Sequence, residues 1–176
     1  MARRDLTFRA LLCDRDGTLI EDVPYNGEPD LVHPLPGVDD ALRRVRDGGL
    51  RVGIITNQSG VACGLISTSQ LDAVQERVEE LLGPFDVVIT CPHGPDDGCG
   101  CRKPAPGLVL AAAAALGLPP AACLVVGDQW RDVEAARRAG AGGVLVDVTA
   151  GAGSTASTAP SVATFSAAVD LVLGGT

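Results

Sequence analysis

Short apolar runs alternate along the chain with stretches whose apolar residues recur every three or four positions. Five of the runs are almost continuously apolar: 8–14, 50–56, 85–91, 122–128 and 143–148. Such runs predict strands covered on both faces, as in a parallel sheet. The stretches between them predict helices. Pro36 and Gly37 open one over 38–47 that stops at Gly48-Gly49. Ser67, followed three residues later by Gln70, has the form of a capping box and starts a helix ending near Gly83-Pro84. Residues 106–116 are Ala-rich and end at Gly117, residues 129–139 are amphipathic and end at Gly140, and 166–173 predict a last short helix. This alternation predicts an α/β fold, a Rossmann-like parallel sheet with helices on both faces. The segment 149–161 is rich in Gly, Ala, Ser and Thr and reads as a flexible loop. There is no internal repeat and no insertion large enough for a separate lid. The chain, residues 1–176, therefore reads as a single domain.

Composition narrows the partners. Aromatic residues make up only 3% of the chain, so the core must be built from Val, Leu, Ile and Ala. The formal net charge of -8 argues against nucleic acid or an anionic membrane surface as partner. A small anionic substrate stays open, because a metal and a few local cations can reverse the sign inside one cleft. No apolar run approaches the roughly 20 residues of a membrane span. Arg3 and Arg4 form a twin arginine, but the apolar run after it stops at Asp14-Arg15-Asp16, so the expected location is cytoplasmic. No long amphipathic or heptad segment offers an interface, which predicts a monomer.

Candidate chemistry gathers at the predicted strand ends, where open α/β sheets bind ligands. The first strand ends in Asp14-Arg15-Asp16-Gly17-Thr18. Asp14 and Asp16 are two apart, so in extended backbone their side chains leave on one side. One carboxylate can attack phosphorus while the other moves protons, although the same residues also favour a simple turn. The second strand ends in Thr56-Asn57-Gln58-Ser59-Gly60, whose hydroxyl and amide can donate to phosphate oxygens or merely cap a turn. The fourth ends in Gly127-Asp128, with Asp132 one turn into the next helix. Carboxylates gathered at one edge call for a cation, and hard oxygen ligands suit Mg²⁺. Asp132 reads as a first-turn acid or an outer support.

Six cysteines are unevenly spread. Cys13 and Cys123 sit in apolar runs and read as core. His33, in a Pro-rich loop, reads as surface, and Trp130 as a helix-start residue near the pocket. Cys91, His93, Cys99 and Cys101 form Cys-x-His, a turn-rich spacer and Cys-x-Cys. Each pair points to one side of an extended segment, so the two pairs can close a tetrahedral, four-ligand structural Zn²⁺ site. Arg102 and Lys103 follow at once. Such a loop would hold them rigidly, Lys103 for a phosphoryl group and Arg102 for a second phosphate or sugar hydroxyls.

Together these residues resemble the haloacid dehalogenase superfamily of phosphotransferases: Asp14-Arg15-Asp16-Gly17-Thr18 its first motif, Thr56-Asn57 its second, Lys103 its third, and Gly127-Asp128 with Asp132 its fourth. The zinc loop narrows the resemblance to a lidless subgroup, the heptose bisphosphate 7-phosphatases and the histidinol-phosphate phosphatases. Arg102-Lys103-Pro104 and Asn57-Gln58-Ser59-Gly60 look like the former. The resemblance implies a Mg²⁺-dependent hydrolase of a small phosphorylated sugar. In it Asp14 is nucleophile and Mg²⁺ ligand, and Asp16 is general acid/base and a Mg²⁺ ligand through its backbone carbonyl. Asp128 is a Mg²⁺ ligand, Thr56 and Lys103 bind the transferring group, Asn57 is a further substrate-binding residue, and Arg102 meets the distal part of the substrate. Cys63 and Gln129 depart from the pattern, each standing where it leads one to expect a basic residue. Two other readings are histidinol phosphate as substrate, and a non-catalytic zinc-loop protein, against which the four filled motifs argue.

Overall fold

Alternate residues of the first strand bury themselves on opposite faces, and this parity organises the whole molecule. The computed structural model describes residues 8–147 and 159–174. The strands are β1 (Ala10–Cys13), β2 (Arg51–Asn57), β3 (Val87–Cys91), β4 (Cys123–Gly127), β5 (Gly142–Val146) and β6 (Ser161–Val162). They form one parallel sheet in the order β3-β2-β1-β4-β5-β6. The helices are α1 (Val38–Asp47), α2 (Thr68–Leu82), α3 (Gly107–Ala115), α4 (Trp130–Ala139) and α5 (Phe165–Val172).

Leu11 and Cys13 point into a core shared with Val52 and Ile54 and covered by α1, α2 and α5, through residues such as Leu42, Val78 and Val169. Ala10 and Leu12 point the other way, with Ile55 and Val125, against Leu108, Val109, Ala112, Ala135 and Ala136 of α3 and α4. The small alanines on this second face let both helices lie close to the sheet. Every residue of β1 and β4 is buried, as a strand covered on both faces requires.

The sequence-based elements are recovered with shifts of one or two residues at most ends. The α1 bounds agree with expectation, and the Ser67–Gln70 capping box is formed, with Ser67 Oγ accepting from Gln70 N–H and Ser67 N–H bonded to Gln70 Oε1. β1 is shorter than the run 8–14, but its pairing reaches one residue further at each end: Arg9 N–H donates to Ala122 C=O and Asp14 N–H to Val126 C=O. Ala122 itself closes a short 3-10 turn, Pro120–Ala122. Of the predicted loop 149–161, residues 149–158 lie outside the described residues, and Ser161 belongs to β6. No helix among the described residues is long and apolar enough to cross a membrane.

The order of the strands decides where a ligand can go. β1 pairs with β2 on one edge and with β4 on the other, so the sheet's connections diverge at its carboxyl end. A crevice opens at such a switch point.

Candidate active site

The crevice beyond β1 holds a cavity of about 340 Å³ lined by Asp14, Asp16, Asn57, Lys103, Asp128 and the residues around them. After Asp14 the chain turns through Gly17, whose φ of +82 is in the left-handed region; a Cβ there would stand 2.5 Å from Asp128 Oδ2. Only glycine lets β4 bring Asp128 against the first strand end. Asp128 is then held by the Thr18 hydroxyl, which donates to Oδ1 at 3.1 Å, and by Gln129 Nε2, which donates to Oδ2 at 3.0 Å.

Asp16 is fixed from two sides. Gln58 Nε2 donates to its Oδ2 at 2.6 Å, and the buried Arg15 guanidinium reaches both oxygens through Nε at 3.2–3.3 Å. The same Gln58 amide donates to Thr56 Oγ1 at 2.8 Å. Thr56 is thus buried beneath the site, and its hydroxyl oxygen is engaged by Gln58. Asn57 lines the cavity, yet its side chain clamps the Lys103 backbone: Lys103 N–H donates to Oδ1 at 3.0 Å and Nδ2 donates to Lys103 C=O at 3.2 Å.

Lys103 is 2% exposed. Its ammonium donates to Ile55 C=O at 3.0 Å and lies 2.9 Å from Asp14 Oδ1 and 2.6 Å from Asp132 Oδ1. One N–H is committed to the Ile55 carbonyl, and the two carboxylates hold the charge as ion pairs. Burial pulls the Lys103 pKa down, but Asp14 and Asp132 outweigh it and hold the ammonium form above its ordinary range. Asp132 is fully buried and also accepts the Gln129 N–H at 3.0 Å, so it caps α4 and anchors Lys103 together. Burial drives Asp14 the other way; Lys103 offsets part of that, and the nearby Asp132 and Asp128 add to it, so its carboxyl is raised. A protonated carboxyl is no nucleophile, so this site calls for a further positive charge. Carboxylate oxygens of Asp14, Asp128 and Asp132 all lie within 4.8 Å of one another, a hard oxygen set of the kind Mg²⁺ takes.

β3 leads directly into the cysteine loop. Cys91, Cys99, Cys101 and His93 come together with every ligand atom within 4.8 Å of the others. His93 Nδ1 is 3.5 Å from Cys91 Sγ and 3.2 Å from Cys101 Sγ, and Cys99 Sγ is 3.7 and 3.5 Å from the same two sulfurs. These separations approach the edge of a tetrahedron with Zn–S bonds of about 2.3 Å, with Cys91 and Cys101 closer at 2.9 Å. The Arg102 N–H draws the Cys99 thiol down to about 7, favouring the thiolate a metal binds. Arg102 Nη1 donates to His93 C=O at 3.2 Å, so the loop and the cation after it are tied together.

Cys13 and Cys123 are core residues, and His33 and Cys63 are exposed. Trp130 is 59% exposed and does not line the cavity. Sequence reasoning missed four contributors. Arg15 and Gln58 orient Asp16, and Arg131 and the segment around Tyr25, whose φ of 53 is left-handed, add to the cavity lining. Only the neighbourhood of Arg15 and Gln58 to named motifs could have flagged them; Tyr25 and Arg131 carry no local signal.

The family model for haloacid dehalogenase-like hydrolases matches residues 25–140. The D-glycero-beta-D-manno-heptose-1,7-bisphosphate 7-phosphatase of Bordetella bronchiseptica is 38% identical over 144 residues, 79% of this chain and 80% of that protein. The enzyme of the same name from Pseudomonas aeruginosa is 38% identical over 141 residues, 77% and 79% of the two chains. The crystal structure of the B. bronchiseptica D,D-heptose 1,7-bisphosphate phosphatase with magnesium and phosphate superposes with a TM-score of 0.85 at 33% identity, over 96% of this chain and all of that one. The L-2-haloacid dehalogenase of Xanthobacter autotrophicus, at 16% identity and a TM-score of 0.66 over 96% and 100% of the chains, shares the fold.

Proposed function

The chain belongs to the haloacid dehalogenase-like hydrolase family, and from that premise we propose that this phosphoric monoester hydrolase removes the C7 phosphate of D-glycero-D-manno-heptose 1,7-bisphosphate through an aspartyl-phosphate on Asp14. The observation that carries the reading is the convergence of Asp14, Asp128 and Lys103 on one cavity that Arg102 also lines. The names of the relatives supply the sugar.

Asp14 attacks phosphorus, the bond from phosphorus to the C7 oxygen breaks, and Asp16 gives that oxygen its proton. Water then attacks the acyl phosphate while Asp16 takes its proton, releasing phosphate and restoring Asp14. Gln58 and Arg15 keep the Asp16 carboxyl aimed during both steps. Lys103 balances charge beside the nucleophile and faces the transferring group. Asp14, Asp128 and the Asp16 backbone carbonyl would hold Mg²⁺, which supplies neutralisation between the carboxylates and the phosphoryl oxygens. Cys91, His93, Cys99 and Cys101 would hold Zn²⁺, which supplies rigidity to the loop before Arg102.

Histidinol phosphate is the weaker reading, because its ammonium group would meet Arg102 where a second phosphate would be welcomed. We read the chain as a single catalytic domain, monomeric and cytoplasmic, with no nucleic-acid or membrane partner; its net charge of -8 supports the last point.

Phosphate release with Mg²⁺ on the heptose bisphosphate and on histidinol phosphate tests the proposal. The bisphosphate should be turned over with the higher kcat/KM, and Asp14→Asn should keep the fold by circular dichroism and lose turnover. A preference for histidinol phosphate would refute the substrate, and an Asp14→Asn protein of wild-type rate would refute the mechanism.

A further inference from the structure

The two oxygens of the Asp16 carboxylate are held unequally. Oδ2 accepts from Gln58 Nε2 at 2.6 Å and from Arg15 Nε at 3.2 Å, and it lies 3.2 Å from Arg15 Nη2. Among the described residues Oδ1 meets Arg15 Nε alone, at 3.3 Å. Arg15 Nε thus divides itself almost evenly between the two oxygens, and the short Gln58 bond breaks the symmetry. A carboxylate oxygen offers two lone pairs. Those of Oδ2 are taken by N–H donors, so a proton placed there would face their hydrogens. Oδ1 keeps a lone pair free, on a carboxylate that lines the cavity.

Gln58 is itself fixed along its length. Its backbone N–H donates to Cys91 C=O at 2.7 Å, which ties it to the end of β3. Its side-chain amide carries two hydrogens, one for Asp16 and one for Thr56 Oγ1 at 2.8 Å. Both Thr56 and Gln58 are buried. The amide therefore spans from a hydroxyl beneath the site to the carboxylate above it. Reversed, it would set its own oxygen against Asp16 Oδ2, acceptor against acceptor, so only one orientation serves both partners.

We propose that Gln58, anchored on Thr56, is the positioning residue that selects Oδ1 of Asp16 as the oxygen exchanging a proton with the leaving group. The inference rests on the acid/base reading of Asp16 above. As the bond from phosphorus to the leaving oxygen breaks, its electron pair stays on that oxygen. The proton passes there from Oδ1, and the electrons of the broken O–H bond return to Oδ1. Oδ2 keeps its N–H donors throughout, so no buried hydrogen bond has to be given up during the transfer.

The experiment separates esters by their leaving group. The sugar alcohol of heptose 1,7-bisphosphate needs a proton to depart, and p-nitrophenolate departs without one. kcat/KM on each ester covers the steps up to that departure. Wild type is compared with Gln58→Met, which keeps the bulk and drops the amide, with Gln58→Asn, whose amide is one methylene too short to bridge, and with Asp16→Asn. Each is checked for folding by thermal melting. General acid catalysis is worth about 10²–10⁴-fold, and Asp16→Asn should lose it on the sugar phosphate far more than on the aryl ester. Gln58→Met misdirects the proton without removing it. Its loss on the sugar phosphate should exceed its loss on the aryl ester by about 10–100-fold, in kcat rather than KM. Equal losses on the two esters overturn the assignment, because a residue that merely supports the fold spares neither; no loss on either overturns it too. Where Gln58→Met does not fold, Gln58→Asn carries the same comparison. Thr56→Val should show part of the selective loss and add nothing to it in the Gln58→Met background; selectivity that falls further in the double variant removes Thr56 as the anchor. Equal losses in Asp16→Asn would instead refute the acid/base reading. A wild type active on the aryl ester and inactive on the heptose would refute the sugar alone, and glycerol 3-phosphate then serves as the alkyl ester.

Discussion

Replacing Asp132 by Asn removes a charge from beneath the site while keeping a hydrogen-bond acceptor there. Asp132 is fully buried, and its Oδ1 lies 2.6 Å from the Lys103 ammonium, itself 2% exposed. Removing one partner of a buried ion pair costs about 3–5 kcal/mol. Here Lys103 keeps Asp14 at 2.9 Å, so Asp132→Asn should cost about 3 kcal/mol, the low end of that range. Asp132→Ala also strands the Gln129 N–H, now bonded at 3.0 Å, and loss of such a cap adds about 1 kcal/mol. Against a domain stability of about 5–15 kcal/mol both proteins should still fold. Activity should suffer as well. With Asp132 neutral, the ammonium is drawn wholly onto Asp14, and each 1.4 kcal/mol of extra hold on the nucleophile slows attack about tenfold. Urea unfolding gives the stabilities and phosphate release gives the rates. The decisive comparison repeats Asp132→Asn in a Lys103→Met background, where the charge it serves is gone. The Asn substitution should then cost far less, a coupling of about 2 kcal/mol. A coupling under about 0.5 kcal/mol, the additive limit, would refute the account and reduce Asp132 to a helix cap.

Cys99→Ser should lose zinc and loosen residues 92–100 while the α/β core stays folded, with activity falling through Arg102 and Lys103; elemental analysis finding no zinc in wild-type protein purified without chelator would remove the site. Removal of Mg²⁺ with zinc left in place should abolish turnover, and Mg²⁺ alone should restore it; turnover by Mg²⁺-free protein would contradict the crowding of Asp14 and Asp128. Gly127→Ala places a Cβ 2.3 Å from Asp132 Cγ, and overpacking of this kind costs about 1–3 kcal/mol. It should also lower kcat by shifting the Lys103 anchor, so a melting temperature and kcat equal to wild type would show that Asp132 is not held where described.

The parts of this molecule written in local patterns were legible in its sequence. α1 and the Ser67–Gln70 cap follow from turn and cap residues within a few positions of each other. The strands followed from continuous apolar runs, and the zinc loop from ligand spacing. β6 was not legible, because Ser161–Val162 is too short to carry a period. The finer site was hidden for a different reason. Asn57 clamps a backbone 46 residues away, and Gln58 reaches Asp16 across 42 residues. No periodicity encodes such pairs; they exist only once β1, β2 and the metal loop share one edge. Asp132 was read as a first-turn acid or an outer support and proves to be both, since helix geometry fixed its cap while the approach of Lys103 is a tertiary fact.

The ion-paired ammonium of Lys103 also bears on when the pocket becomes receptive. Asp14, Asp16, Asp22, Asp128 and Asp132 bring five carboxylates to the floor and its edge, and Arg15 and Lys103 bring two positive charges already paired. The carboxylates are in excess. A floor without a divalent cation repels a phosphate dianion more strongly than a floor with one. The metal and the substrate are thus ordered by electrostatics: the ion must arrive first or together with the anion, and the affinity for each should rise in the presence of the other. Double-reciprocal plots at varied Mg²⁺ would display this as lines that intersect rather than run parallel.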